Sequence, residues 1–166
     1  MNVIGQIIGF IYLGIFIFSF QFKDKKKLIG LRILSKIFVG IHYIFIGALT
    51  GSIFQFLEIF PNYCAYKYEN NKNKIIMIMF FIIIYIFVGL YTYKTKYDIL
   101  PILGSILSII AISKKGTKSI RTWQFIISPM FLTYNIMNIS YAGIITEILV
   151  LASCISGTIR LDKRTT

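Results

Sequence analysis

Residues 28–51 read LIGLRILSKIFVGIHYIFIGALTG. A helix needs about 20 largely apolar residues to cross a bilayer, and this run supplies them. It also carries Arg32, Ser35, Lys36 and His42, and it ends in the sharp turn Ala48-Leu49-Thr50-Gly51. Ionisable groups at membrane depth are costly and face protein or water rather than lipid. The segment therefore reads as one helix of a bundle with a polar interior. A degenerate copy of it runs from about Trp123 to Gly143, some 93 residues further on.

The rest of the chain has the same character. Of its 166 residues, 57% are hydrophobic, and the mean hydropathy is +0.76. A soluble domain of this length needs more polar side chains to cover its surface. Barrel strands would be about 10 residues long and alternating, whereas these runs are longer and apolar on all sides. The composition predicts an all-α membrane protein with seven transmembrane helices. The spans fall at about residues 3–22, 28–48, 51–66, 75–93, 99–112, 120–139 and 141–159. The first is read as a span and not as a cleaved leader, because it lacks a basic start and a small-residue cleavage site. Pro61 is expected to kink or open the third span. The fourth span, without a charge, is expected to face lipid. Gly5, Gly9 and Gly14 give the first span a face for close packing. Arg32, one turn into its helix, is expected to snorkel to the interface.

The net charge of +12 does not mark a nucleic-acid binder, because the charges sit in short clusters between apolar spans. With the N-terminus outside, the inner segments collect 16 of the 18 Lys and Arg residues, leaving only Lys94 and Lys96 outside. Such bias sets topology and predicts a cytoplasmic C-terminus in the plasma (inner) membrane. The basic loops would touch anionic lipid. Cys64 and Cys154 form no CxxC pair and read as small apolar residues in the spans.

The spans divide as three, one, three. The first triplet and its loop occupy residues 1–74, a linker helix and loop 75–98, and the second triplet with a basic tail 99–166. Each triplet has a basic turn after its first helix and a nearly uncharged tight turn after its second. Ser35 pairs with Ser128 and His42 with Asn135 at an offset of 93, then Gly51 with Gly143 and Gln55 with Glu147 at 92. This places the loss of one residue in the tight turn. An odd linker makes both triplets enter the membrane from the same side, so the repeats are expected to be parallel about an axis along the membrane normal.

Ser19-Phe20-Gln21, Lys23 to Leu28, Ser35, His42-Tyr43 and Gly47 to Gly51 resemble the bacterial inner-membrane YgjV family, well in the first half and weakly in the second. More distantly, the layout resembles SWEET, PQ-loop and PnuC-type carriers. The Pro-Gln pair of PQ-loop proteins is absent; Phe20-Gln21 stands nearest to it, and the second triplet has Ser113-Lys114 there.

His42, Gln55, Asn135 and Glu147 fall at similar depth, two from each triplet. They read either as a site for a small polar solute or as an interhelical hydrogen-bond network. In the first reading, Glu147 accepts hydrogen bonds or neutralises a cation and His42 titrates with a transported proton. Lys36 and Glu58, deeper on neighbouring helices, read as a fixed ion pair or an inner gate. HExxH, GxSxG and P-loop motifs are absent, and a single histidine with scattered carboxylates makes a poor metal site. No enzyme, metal or cofactor is expected. The favoured expectation is a small-solute carrier or facilitator; the other is a receptor or accessory subunit that does not transport.

Overall fold

The computed structural model describes residues 3–67, 74–114 and 116–162, with no side-chain description at 74, 75, 161 and 162. The expected polar loop after the third span, Lys115 and the basic tail from Lys163 fall outside these residues. The described residues form seven helices and no strand. They are α1 (Val3–Ser19), α2 (Lys25–Phe45), a third helix in two pieces, α3 (Leu49–Leu57) and α4 (Ile59–Lys67), then α5 (Lys74–Thr92), α6 (Ile99–Ser113), α7 (Lys118–Met137) and α8 (Tyr141–Gly157). A short turn, Lys96–Asp98, leads into α6, and a wider turn, Thr158–Asp162, continues α8. The helices that begin at Lys25, Lys96 and Tyr141 have both the length and the hydropathy to cross a membrane, and Val3–Ser19 and Ile76–Thr92 are apolar but shorter.

The helix boundaries have local causes. α2 starts at Lys25, before the expected Leu28, because Asp24 accepts from the Lys26 and Lys27 amides at 2.8 and 3.4 Å. A carboxylate there satisfies orphan donors and the positive end of the helix dipole. Thr95 and Asp98 form a capping box before α6. Pro61 has no N–H to give the Leu57 carbonyl, so the third helix breaks one turn earlier, at Glu58. That break sets the Glu58 side chain into the bundle, fully buried.

The two tight turns share one geometry. Ala48 N donates to Tyr43 O at 2.9 Å, and Ser140 N to Asn135 O at 2.9 Å. The residue between has positive φ in both, 79° at Gly47 and 52° at Ile139. The turns thus correspond at a constant offset of 92. The helices that precede them differ by one residue, α2 having 21 and α7 20.

α1 packs on α2 and α8; α6 packs on α7 and on both pieces of the broken helix. Gly5 and Gly9 permit the close approach of α1, Gly5 to Phe45 and Gly9 to Ala142 and His42, whereas Gly14 faces nothing within 4 Å. α5 lies against α6, with Gly89 under Ile102, and Tyr85 stacks edge-on against Phe54 of α3. Its other face is bare: Phe87, Leu90 and Tyr91 are 75, 77 and 88% exposed. A continuous apolar surface of that kind is what lipid covers.

Candidate functional site

A cavity lies between the two triplets and takes residues from every helix except α4 and α5, with Glu58 from the break between α3 and α4. α2 faces it along one stripe: Arg32, Ser35, Lys36, Val39 and Tyr43 recur at helical spacing. Opposite stand Gln124, Ile127 and Phe131 of α7 and Glu147 of α8. Gln55, Glu58 and Ser108 close a third side. The space open to the centre of a water molecule is about 20 Å³, room for about one or two waters.

One part of the lining is saturated. Lys36 Nζ lies 2.9 Å from Glu58 Oε2 and donates to Gln55 Oε1 at 2.6 Å. Ser105 Oγ donates to Glu58 Oε1 at 2.5 Å, and Ser108 Oγ to Oε2 at 3.2 Å. A buried ion pair repays desolvation only when its remaining polar capacity is met, and here it is met by three helices. The expected Lys36–Glu58 pair is formed, and it joins Gln55 and Glu147 in one cavity.

Another part is unsatisfied. Arg32 is 2% exposed and does not snorkel. Its guanidinium lies over Phe16 and Phe20 at 5.2 and 5.6 Å and gives only one hydrogen bond, Nη2 to Ser108 Oγ at 3.3 Å. Among the described residues, Arg32 Nε and Nη1 have no hydrogen-bond partner, nor do Glu147 Oε2 and Gln124 Oε1. The Ser128 hydroxyl meets the Glu147 carboxyl and accepts from Gln124 Nε2 at 2.8 Å. Arg32 and Glu147 do not pair with each other.

His42 and Asn135 lie outside the cavity lining. The His42 ring joins three helices, with Nδ1 2.7 Å from Gly5 O and Nε2 2.8 Å from Ser140 Oγ. A carbonyl only accepts, so Nδ1 carries the proton and Nε2 accepts from Ser140, the arrangement of a neutral imidazole. Ser140 Oγ in turn accepts from Gly143 N at 3.2 Å. Asn135 Oδ1 accepts from Tyr43 OH at 2.8 Å, and Tyr134 OH accepts from Gly51 N at 3.0 Å. These contacts fasten the two tight turns together above the cavity. Of the four residues expected at one site, Gln55 and Glu147 line the cavity, and His42 and Asn135 hold its roof. Sequence reasoning missed Arg32, Tyr43, Ser108 and Gln124. The signal for the first two was the stripe 32-36-39-43, from which His42 is displaced by one residue, about 100°.

These features define the protein as a helical, multi-pass membrane protein whose polar groups converge on a small internal cavity. The family model of the bacterial inner membrane protein family Imp-YgjV matches residues 3–165. The chain belongs to that family. No curated protein matches it, and no solved structure does.

Proposed function

We propose that this inner-membrane protein is a carrier or facilitator for a small polar solute, and that the cavity between the triplets is its binding site. The observation that carries this reading is the coexistence, in one partly open cavity, of buried donors and acceptors that no described protein group satisfies. Stranded polar groups cost about 1–3 kcal/mol each, more when charged, and a bound solute, or water in its absence, would relieve that cost. The neighbouring Lys36–Glu58 cluster is saturated and belongs to the scaffold.

The solute would enter as the triplets rock about an axis along the membrane normal, a movement associated with repeat-built transporters. Support for parallel repeats comes from the shared turn geometry and from the matching of α1 on α8 with α6 on α3 and α4. The charge bias favours an outer N-terminus and a cytoplasmic C-terminus. The protein is not an enzyme in this reading.

The test is a thermal-shift screen of purified protein against nucleosides, vitamins, sugars, amino acids and polyamines, followed by counterflow of a labelled hit in proteoliposomes. Wild type is expected to be stabilised by a ligand and to exchange it, and Glu147→Gln to do neither while folding normally. Binding without flux would favour a receptor. No ligand from any class would remove the site.

A further inference from the structure

Among the described residues, the unsatisfied groups that line the cavity are of two kinds, and they stand on different triplets. The donors, Arg32 Nε and Nη1, belong to α2. The acceptors, Gln124 Oε1 and Glu147 Oε2, belong to α7 and α8. Arg32 is a permanent cation held against aromatic faces, and it asks for an anionic oxygen. A carboxylate beside an amide oxygen asks for N–H groups, best on a cation.

The charges of the lining also balance. Arg32 and Lys36 face Glu58 and Glu147, and the Lys36–Glu58 pair is already neutralised. What remains is one positive and one negative group that do not meet. A solute with net charge would leave one of them, both buried, opposed or unpaired, which is costly. A neutral polyol would satisfy hydrogen bonds but neither charge.

We propose that the solute is a small zwitterion, with its carboxylate on Arg32 and its ammonium on Glu147 and Gln124. This rests on the carrier reading and narrows it. The bound molecule would bridge the two triplets, one charge on each. The free volume, about 20 Å³ for the centre of a water molecule, admits even glycine only if the lining moves apart, which favours the shortest members of the class, with the two charges a few bonds apart. No residue outside the cavity is needed, and the saturated Lys36–Glu58 cluster acts as a floor.

The experiment uses the full-length protein in detergent. Thermal shift is measured with glycine and L-alanine, with acetate and methylammonium as the two separated halves, and with glycerol, urea and glucose as neutral solutes. Glycine or L-alanine is expected to raise the melting temperature of wild type, and the halves and neutral solutes to leave it unmoved at the same concentration. Glu147→Gln is expected to weaken the response about tenfold or more, the loss of one charged hydrogen bond. Because Arg32→Gln can fail to fold, Arg32→Lys is the second variant; it keeps the charge, changes the donor geometry and is expected to weaken the response similarly. A neutral solute or a single ion acting as strongly as the zwitterions would overturn the inference while leaving the carrier reading intact. Equal zwitterion responses in wild type and both variants would overturn it as well. Silence from these probes and from the wider screen would end both.

Discussion

At the residue scale, the proposed function assigns side chains with partners to the bundle and those without to a ligand. Lys36 and Glu58 depend on each other: removing one leaves a buried charge without its partner, a loss of about 3–5 kcal/mol. Lys36→Met is therefore expected to lower the melting temperature sharply, and Lys36→Met with Glu58→Gln to recover much of it. A double-mutant cycle on detergent-solubilised protein measures that coupling, and additive losses would contradict it. Glu147 is the opposite case. Its Oε2 has no partner to strand, so Glu147→Gln is expected to keep or raise stability while losing ligand response. His42 belongs with Lys36. His42→Ala removes contacts with Gly5 and Ser140 and opens a hole between α1, α2 and α8; it is expected to cost about 2–4 kcal/mol, visible as lower abundance and melting temperature. His42 and Lys36 are legible in the sequence as polar residues within a span. Which face of α2 each occupies is a rotation that depth alone does not give, and His42 therefore looked like a site residue. Arg32 was misread for a related reason. A long side chain near a helix end has two ways to go, and the aromatic faces of Phe16 and Phe20, on another helix, decide it.

At the element scale, the tight turns show where pattern is informative. Gly47 is cheap at positive φ because it has no Cβ, whereas Ile139 is β-branched and strained there. The left-handed conformation costs an L-residue about 1–2 kcal/mol, and Ile139 is 65% exposed, so little packing offsets that cost. Ile139→Gly is expected to stabilise the protein by up to about 1 kcal/mol, read as a raised melting temperature; a fall would mean that lipid contact of the isoleucine outweighs the strain. At Gly51 a Cβ would sit 2.7 Å from the Tyr134 ring, and Gly51→Ala is expected to destabilise by at least about 1 kcal/mol. Both turns, the proline break and the bare face of α5 are short-range or compositional features, and the sequence carries them. The difference in length between α2 and α7, 21 and 20 residues, has no turn residue to mark it.

For the whole molecule, the proposed carrier function asks how a solute would reach the cavity from either side. One end is sealed by contacts that cross between the triplets. Lys25 Nζ at the start of α2 donates to Lys114 O at the end of α6 at 2.7 Å. Arg121 in the first turns of α7 donates to Phe20 O and Phe22 O beyond the end of α1 at 3.2 and 2.8 Å. Each places a cation at the carbonyl end of a helix in the other triplet, where the helix dipole is negative. The other end is fastened by the Tyr43–Asn135 and Tyr134–Gly51 hydrogen bonds. A carrier must break one set while the other holds. Ser35 reports such openings, because it lines the cavity and is buried. Its hydroxyl bonds only within its own helix, to Arg32 O, so Ser35→Cys disturbs little. With Cys64 and Cys154 replaced by alanine, Ser35→Cys in membrane vesicles is expected to react slowly with a small membrane-impermeant thiol reagent. Reaction needs water to reach the thiolate, so the rate measures opening. Adding Arg121→Gln loosens the basic seal and is expected to speed labelling from the face that bears the basic turns, and Tyr43→Phe to speed it from the opposite face. Alternating access requires both effects and opposite sidedness. Labelling from one face only, whichever seal is weakened, would describe a receptor with a single entrance, and no labelling in any variant would describe a closed core.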